Sequence, residues 1–489
     1  MRLGVVFTGV ALIVGGLFAV SALGYVGGAL LEGLMLEKFG ISGGGHIVQI
    51  LVSMLVVVMV IATLLTLAER KWSAFMQDRT GPNRARIALP GLKNSALAGL
   101  PHIATDVIKM LTKEAFRPAT ANKFLFNLAP MLAFAPAFAL FAIVPSGPTL
   151  DITLPSALGS FAYTAKVVMS PTNPDAGLLL MFAVASLAVY GTSLAGWSSN
   201  NKFALLGGVR ASSQMVSYEV ALGLSLVGMM AAFSTVRLAG DDGMAAMQAR
   251  YLWSFNAGGF DIGLPAWGIF LQPAGFILFF AAAFAETKRA PFDSPEGESE
   301  IVGYFLEYSG MQFGLFMISE FVEVVVLSGV LAAIFFGGWS LPFGNEWLTM
   351  KLSAVSPILT GAVFGTIFWV KVVLLCYLQL VIRWTFPRFR YDQIQTLGWK
   401  ILLPLGLVNL FVSGALILRD PSLKSLAIMG FIEIVAVAML TLTPPRQVRR
   451  EQEAASHGGG HGHDDHGHDA HDAHGHAPAA ALPAGTAGH

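Results

Sequence analysis

Ten apolar stretches, each close to the length a helix needs to cross a lipid bilayer, set the class of this chain. A hydrocarbon core about 30 Å thick takes about 20 apolar residues per helix. The stretches run over 3–31, 47–68, 124–144, 177–198, 216–234, 266–285, 311–337, 358–382, 400–418 and 425–443. None alternates polar and apolar residues at period two, which points to helices that satisfy their own backbone in lipid rather than to a barrel. The expected fold is all-α and polytopic, with about ten transmembrane helices, an amphipathic interfacial helix and a disordered C-terminal tail. Composition agrees: 12% of the 489 residues are charged, about half the ~25% of a soluble domain. Thirty basic against thirty acidic residues leave no basic excess for nucleic acid. Cys376 is the single cysteine, which excludes a disulfide framework and a cysteine-held zinc or iron–sulfur centre. The first stretch follows Arg2 as in a signal peptide, but it outlasts an apolar region of about 7–15 residues and is read as a retained helix.

The few charges are sided. With ten spans the termini share a side and the loops alternate. One side then collects 22 basic residues, ten of them between 69 and 123, and the opposite side seven, with Lys371 inside a span. Basic loops stay cytoplasmic, so both termini are expected in the cytoplasm. The segment 446–489 has little apolar bulk and nine His between 457 and 489, too little to bury a core. Its imidazoles, among them His461, His463, His466 and His468, offer loose metal ligation. A solvated low-complexity tail is the preferred reading, because no spacing repeats.

Four stretches depart from plain lipid-facing helix. Glu69-Arg70-Lys71 through Arg79-Thr80-Gly81-Pro82-Asn83 ends the second span at a turn signal. Its mixed charges suggest ion pairing beyond a snorkelling collar. In 88–117, Ile103, Val107, Met110, Leu111 and Glu114 follow helical spacing, which predicts an amphipathic interfacial helix, either an anchor or the frame of a doorway for a lipid-like molecule. Glu219, entering the fifth span on one face with Met215 and Ser212, carries a charge that lipid penalises by about 2.5–3.5 kcal/mol; it is expected to face protein or a water path. The densest stretch spans 286–323, where Glu286, Asp293, Glu296, Glu298, Glu300, Glu307, Glu320 and Glu323 meet only Lys288 and Arg289. Ser294-Pro295-Glu296 reads locally as a helix start, which accounts for one or two acids and not for eight. Mutual repulsion and desolvation raise carboxylate pKa values, which suits proton exchange near neutral pH. Lys371 is the expected counter-charge, with Glu323 as one partner. A fifth stretch, Arg383-Trp384-Thr385-Phe386-Pro387-Arg388-Phe389-Arg390-Tyr391-Asp392-Gln393, mixes cations with aromatics at a helix end and suits docking of a soluble partner.

Together these stretches resemble the membrane component called H in the bacterial proton-pumping NADH–quinone oxidoreductase, respiratory complex I (subunit 1 in mitochondria). The resemblance rests on Glu69-Arg70-Lys71…Gln77…Arg79…Gly81-Pro82-Asn83, on Glu286-Thr287…Arg289…Pro291-Phe292-Asp293…Glu296-Gly297-Glu298-Ser299-Glu300, and on Pro387 through Gln393. It implies a subunit with no redox centre or cofactor of its own, in a bacterial inner membrane, surrounded by lipid. Peripheral subunits would supply FMN and iron–sulfur clusters and complete a chamber for quinone, the substrate; membrane-arm subunits would be the other partners. The implied doorway is framed by 47–68, the helix near 103–114, and 311–337. The resemblance assigns Glu219, Glu286, Glu296, Glu298, Glu300, Glu307 and Glu320 to coupling with proton translocation. It places Glu69, Arg70, Arg79, Asp106, Arg289, Asp293, Arg388 and Asp392 at the chamber or its contacts. Ala74 and Phe321 depart from the usual Gly and a frequent Tyr, and Glu323 is an unexpected acid. The implied division is an extra helix and loop (1–46), the family core (47–418), an extra helix (419–445) and the His-rich tail (446–489). Rival readings are the homologous anchor of an ion-pumping hydrogenase, a stand-alone proton or cation antiporter, for which the internal repeats of such carriers are missing, and a purely structural anchor, which leaves the acids unexplained.

Overall fold

The computed structural model describes residues 57–85, 99–153, 164–170, 172–257, 260–297, 300–354 and 356–442, with a few positions between 24 and 52. Its helices are α1 (Met59–Met76), α2 (Pro101–Thr112), α3 (Lys123–Leu140), α4 (Gly177–Ala185), α5 (Leu187–Ser198), α6 (Lys202–Phe233), α7 (Pro273–Glu286), α8 (Gly310–Phe335), α9 (Asn345–Ser353), α10 (Pro357–Thr385), α11 (Tyr391–Thr396), α12 (Leu403–Arg419) and α13 (Lys424–Leu442). The protein is an all-α polytopic membrane protein. Among the described residues, seven helical stretches are long and apolar enough to cross a bilayer: Lys123–Ile143, Gly177–Ser198, Lys202–Phe233, Gly310–Phe335, Leu359–Thr385, Tyr391–Arg419 and Lys424–Leu442.

The expected span 3–31 lies almost wholly outside the described residues, as does the start of 47–68. The expected span 266–285 is the short α7, preceded by a single turn at Gly268–Leu271. Fourteen residues of helix cover only about 21 Å. The break falls at Gln272-Pro273, where Pro273 can begin a helix but not continue one. Gln272 is buried there and donates to Ser413 Oγ at 2.8 Å. The N–H of Ala274 donates to Glu433 at 3.0 Å, which gives the new helix start an acceptor. The fifth span starts earlier than its hydropathy suggests, at Lys202, where the Asn201 side chain accepts from Phe203 N–H. Glu219 therefore sits in the middle of a long helix and not at its entrance.

The core is organised on α8. From Ser319 to Phe335 every residue of α8 is buried, and α3, α10 and α1 pack around it. Helix α6 packs on α5, α7 and α12. The contact of α3 with α5 needs Gly191, because a Cβ there would lie 2.4 Å from the backbone nitrogen of Ala133. Small residues let helices approach in lipid, where hydrophobicity alone cannot drive them together. Two antiparallel hairpins, absent from the sequence reading, occupy the loops after α3 and α6. Strand β1 (Thr149–Thr153) pairs with β2 (Thr164–Val168), Thr149 opposite Val168, and β3 (Tyr251–Ala257) pairs with β4 (Phe260–Pro265), Phe255 opposite Ile262. The described residues up to 434 form one compact unit, and 435–442, the end of α13, fall outside it.

Candidate functional site: a buried carboxylate and guanidinium centre

The C-terminal end of α7 runs into a loop whose first residues turn back into the protein. Lys288 adopts a left-handed backbone (φ 56°), unusual for a residue with a side chain, and Glu286, Lys288, Arg289 and Asp293 are all buried. The guanidinium of Arg289 joins three elements. Its Nη1 donates to Glu69 Oε2 of α1 at 2.9 Å, its Nη2 stands 3.8 Å from Glu320 Oε2 of α8, and its plane covers the Phe321 ring at 3.9 Å. Glu69 is shared, since its Oε1 accepts from Arg383 of α10. A planar fork with several donors suits this bridging, which a lysine could not reproduce. Glu69, Arg289 and Arg383, with Gln379 and Cys376 of α10, line a small cavity walled by Leu65, Phe284, Val324 and Leu380.

One turn deeper along α8, Lys288 Nζ lies 3.8 Å from Glu323 Oε2 and 4.0 Å from the sulfur of Met215. Burial opposes the lysine charge, but the carboxylates of Glu323, Glu320, Glu296 and Glu286 outweigh it and raise the pKa. Tyr304 donates to Glu320 Oε1 at 3.3 Å; burial, then Glu320, holds its own proton firmly. Burial and the nearby Glu320 carboxylate push Glu296 well above the usual carboxylate range. Glu286 Oε2, Asp293 Oδ1, Glu296 Oε1 and Glu323 Oε2 are buried without a hydrogen-bond partner, an expensive condition for an ionised oxygen. Protonation lessens that cost, so proton number and charge distribution in this centre are tied together. Asp293 leads out of it. Its carboxylate accepts from Arg388 at 2.9 Å, and burial pushes its pKa up to about 6, with Arg388 the chief opposing influence.

The second and third motifs are thereby fastened together, for beside the Arg388–Asp293 pair the N–H of Phe389 donates to Pro291 O at 3.0 Å and its ring packs on Phe292. With the motifs placed in one centre, comparison with known proteins is informative. The sequence profile of the family described as NADH dehydrogenase matches residues 48–414. The NADH-quinone oxidoreductase H subunit of Flavobacterium johnsoniae is 36% identical over 371 residues, 76% of this chain and 94% of that protein. An H subunit of the same oxidoreductase from Geobacter metallireducens is 39% identical over 359 residues, covering 73% and 92%. NADH-quinone oxidoreductase subunit 8 of Rhodothermus marinus is 38% identical over 354 residues, covering 72% and 91%. The chain belongs to the H-subunit family.

Other charged residues of this H-subunit chain lie apart from the centre. Arg70 and Asp106 pair at 2.5 Å between α1 and α2, both substantially exposed. Helix α2 is the amphipathic helix expected, with Val107, Ile108 and Leu111 exposed. Arg79 contacts the side chain of Gln77, and Asp392 accepts from Arg390 at 3.0 Å, both local. Glu300 accepts from Arg210 at 2.7 Å and Glu307 from Asn201 at 2.7 Å, tying the loop to α6. Glu219 is half-buried. Glu298, His461, His463, His466 and His468 lie outside the described residues, among which no three metal-ligating side chains converge.

Two expectations need correction. Lys371 does not meet Glu323 or Glu320. Its ammonium donates to the carbonyls of Phe336 (2.7 Å), Gly338 (2.9 Å) and Ser340 (2.6 Å), beyond the end of α8, and lies 4.5 Å over the Trp267 ring. Three carbonyls aimed at one point give each proton of the ammonium an acceptor without a carboxylate. The helix start at Ser294-Pro295 does not form either. Ser294 donates to the side chain of Gln214 at 3.0 Å, and Glu300 and Ile301 close turns on Gly297 O. The sequence reading gave no role to Gln214 or Tyr304, and took Arg383 only as part of the stretch suited to docking a soluble partner.

Proposed function

We propose that this chain is the membrane subunit that helps form the quinone chamber of a proton-translocating NADH–quinone oxidoreductase and passes the charge change of quinone reduction into the membrane through buried carboxylates. The observation that supports it most is the joining of the first and second motifs by one guanidinium: Arg289 holds Glu69 and stands beside Glu320. A charge change near Glu69 alters the field at Arg289, hence at Glu320, and with it the proton affinity of Glu296. Proton transfer need only follow, because buried acids with unpaired oxygens shift their protonation when a neighbouring charge shifts. Glu286 and Glu219 extend the acids toward α6. The segment 383–396, basic and aromatic, faces the soluble partners that supply FMN and iron–sulfur clusters; other flanks meet membrane-arm subunits and lipid. Quinone enters beside α2. The chain lies in a bacterial inner membrane with both termini cytoplasmic. Residues 1–46 and 419–489 are additions to a core over 47–418, and the His-rich tail stands apart from the chemistry.

Replacing Glu219→Gln and Glu286→Gln in the assembled complex is expected to cut quinone-dependent NADH oxidation and linked proton uptake together. Undiminished pumping in both variants overturns the carboxylate route. Capture of the chain from solubilised membranes with its partners identified tests the assembly itself: nickel–iron hydrogenase subunits in place of quinone-site subunits would overturn the quinone reading.

A further inference from the structure

We infer that Gln214 of α6 is the positioning residue that sets the shape of the 285–294 loop, and through it the places of Glu286, Lys288 and Arg289; the inference rests on the function proposed above. Gln214 has no solvent exposure, and every polar atom of its amide is used. Its Nε2 donates to Ala285 O at 2.8 Å and to Phe292 O at 2.9 Å, while its Oε1 accepts from Ser294 Oγ at 3.0 Å. The orientation of the amide is fixed by these partners, because a flipped amide would set its oxygen against two carbonyls. Ala285 O, where α7 ends, accepts from Lys288 N–H at 3.3 Å and takes Gln214 as its second donor. Phe292 O lies seven residues later, so one amide closes the loop into a ring that begins and ends on Gln214.

What that ring encloses is the reason to assign Gln214 more than packing. Between the two carbonyls lie Glu286, Lys288 with its left-handed backbone, and Arg289. A residue held in a sparsely populated conformation persists only where its surroundings over-determine it. Gln214 supplies one constraint on each flank of Lys288. The neighbouring residues of α6 add to the same arrangement: Met215 touches the Lys288 ammonium, and Tyr218 packs edge-on against Phe292 while donating to Ile394 O at 2.8 Å. The loop of the second motif and the segment after the third are thus both seated on one stretch of α6. A neutral donor is required there. A side chain of either charge would add to a group already crowded with acids and cations, and leucine would leave Phe292 O and the Ser294 hydroxyl unanswered and Ala285 O with only the Lys288 N–H.

The test uses the complete complex carrying Gln214→Leu, Gln214→Glu or, as a control for the functional reading, Glu286→Gln. Gln214→Leu is expected to lower quinone-dependent NADH oxidation per assembled complex about tenfold, since small misplacements of working groups cost rate steeply. Gln214→Glu keeps the shape and gives a readout that a packing role would not move. Its protonated acid can donate to one carbonyl, whereas its carboxylate donates to none and opposes both. Activity relative to wild type at the same pH is therefore expected to fall as pH rises. Taking the ratio removes the titrations of the wild-type groups on the elements around it, which are Tyr218, Glu286, Lys288, Asp293 and Tyr391. A ratio independent of pH, or Gln214→Leu with wild-type activity, overturns the inference. If Gln214→Leu fails to assemble, the Gln214→Glu profile decides alone. Loss in Glu286→Gln beside unaffected Gln214 variants sinks the positioning role and leaves the functional reading standing; unaffected Glu286→Gln sinks the reading itself.

Discussion

Two cationic centres are built along α8 by opposite means. Near its middle, Arg289 and Lys288 are held by carboxylates: Glu69, Glu320 and Glu323. Past its end, Lys371 is held by three neutral carbonyls and an indole face. The two lie about 20 Å apart along the helix at 1.5 Å per residue. Carbonyls cannot take up or release a proton, so the Lys371 centre has a fixed set of partners. Carboxylates can, so each partner at the other centre is also a place for a proton. The same helix thus carries cations answered by carboxylates at mid-length and a lysine answered by carbonyls past its end, and only the first belongs to the proposed coupling.

Removing Arg289 should break the comparison most severely. Arg289→Ala leaves Glu69 and Glu320 facing each other without their shared cation, and loss of one partner from a buried pair costs about 3–5 kcal/mol. Quinone-dependent NADH oxidation is expected to fall at least tenfold, and the solubilised complex to lose its thermal stability. Arg289→Lys should recover little, since a point charge cannot hold two carboxylates and cover Phe321 at once. Full activity in Arg289→Lys would show that charge alone suffices.

Lys371→Met tests the other end. Three carbonyls lose a charged donor, a cost of about 1–3 kcal/mol, so the melting temperature of the purified complex should drop. Activity per assembled complex should stay near wild type. A variant that assembles normally yet loses proton uptake would place Lys371 on the proton route and erase the distinction between the two ends.

Asp293 sharpens the contrast at the edge of the titratable centre. Burial raises its pKa from 3.8 to about 6, so the folded chain binds this proton more tightly than the unfolded one. Stability is then greatest below 3.8 as far as this group is concerned, and is lost as pH rises from there through about 6. The Arg388 pair runs the other way, since the arginine loses its anionic partner as pH falls through about 6. Asp293→Asn should remove an inflection near pH 6 from the activity profile. An unchanged inflection would assign it to another group.

The carboxylate centre was far more legible in the sequence than the turn that holds Lys371, for a physical reason. Acids inside an apolar run stand out because lipid penalises them, so Glu320, Glu323 and Glu219 declared themselves. Their partners did not, because Arg289 and Glu69 lie 220 residues apart and only the packing of α1 on α8 brings them together. Lys371 stood out for the same reason, yet its answer is a backbone turn after Phe335, whose trace in residue types is the left-handed pair Gly337-Gly338. Hydropathy found the spans but missed the break at Gln272, where a buried side chain and Pro273 restart the helix. It also placed the start of α6 too late, because Arg210 and the serines after it face neighbouring protein.

The smallest effect is expected where a pair of charges lies in solvent. Arg70 and Asp106 meet at 2.5 Å, but their side chains are 52% and 35% exposed. Water screens such a pair, and its contribution to stability is about 0–1 kcal/mol. Asp106→Asn should therefore shift the melting temperature of the complex by little, in contrast with Arg289→Ala, although both remove half of an ion pair between α1 and another element. If α2 frames the entry of quinone, the variant alters the KM for quinone more than kcat, because the pair positions a doorway and touches no buried acid. A large fall in kcat with KM unchanged would move this exposed pair into the working centre, and burial would no longer separate the charges that couple from those that only fasten.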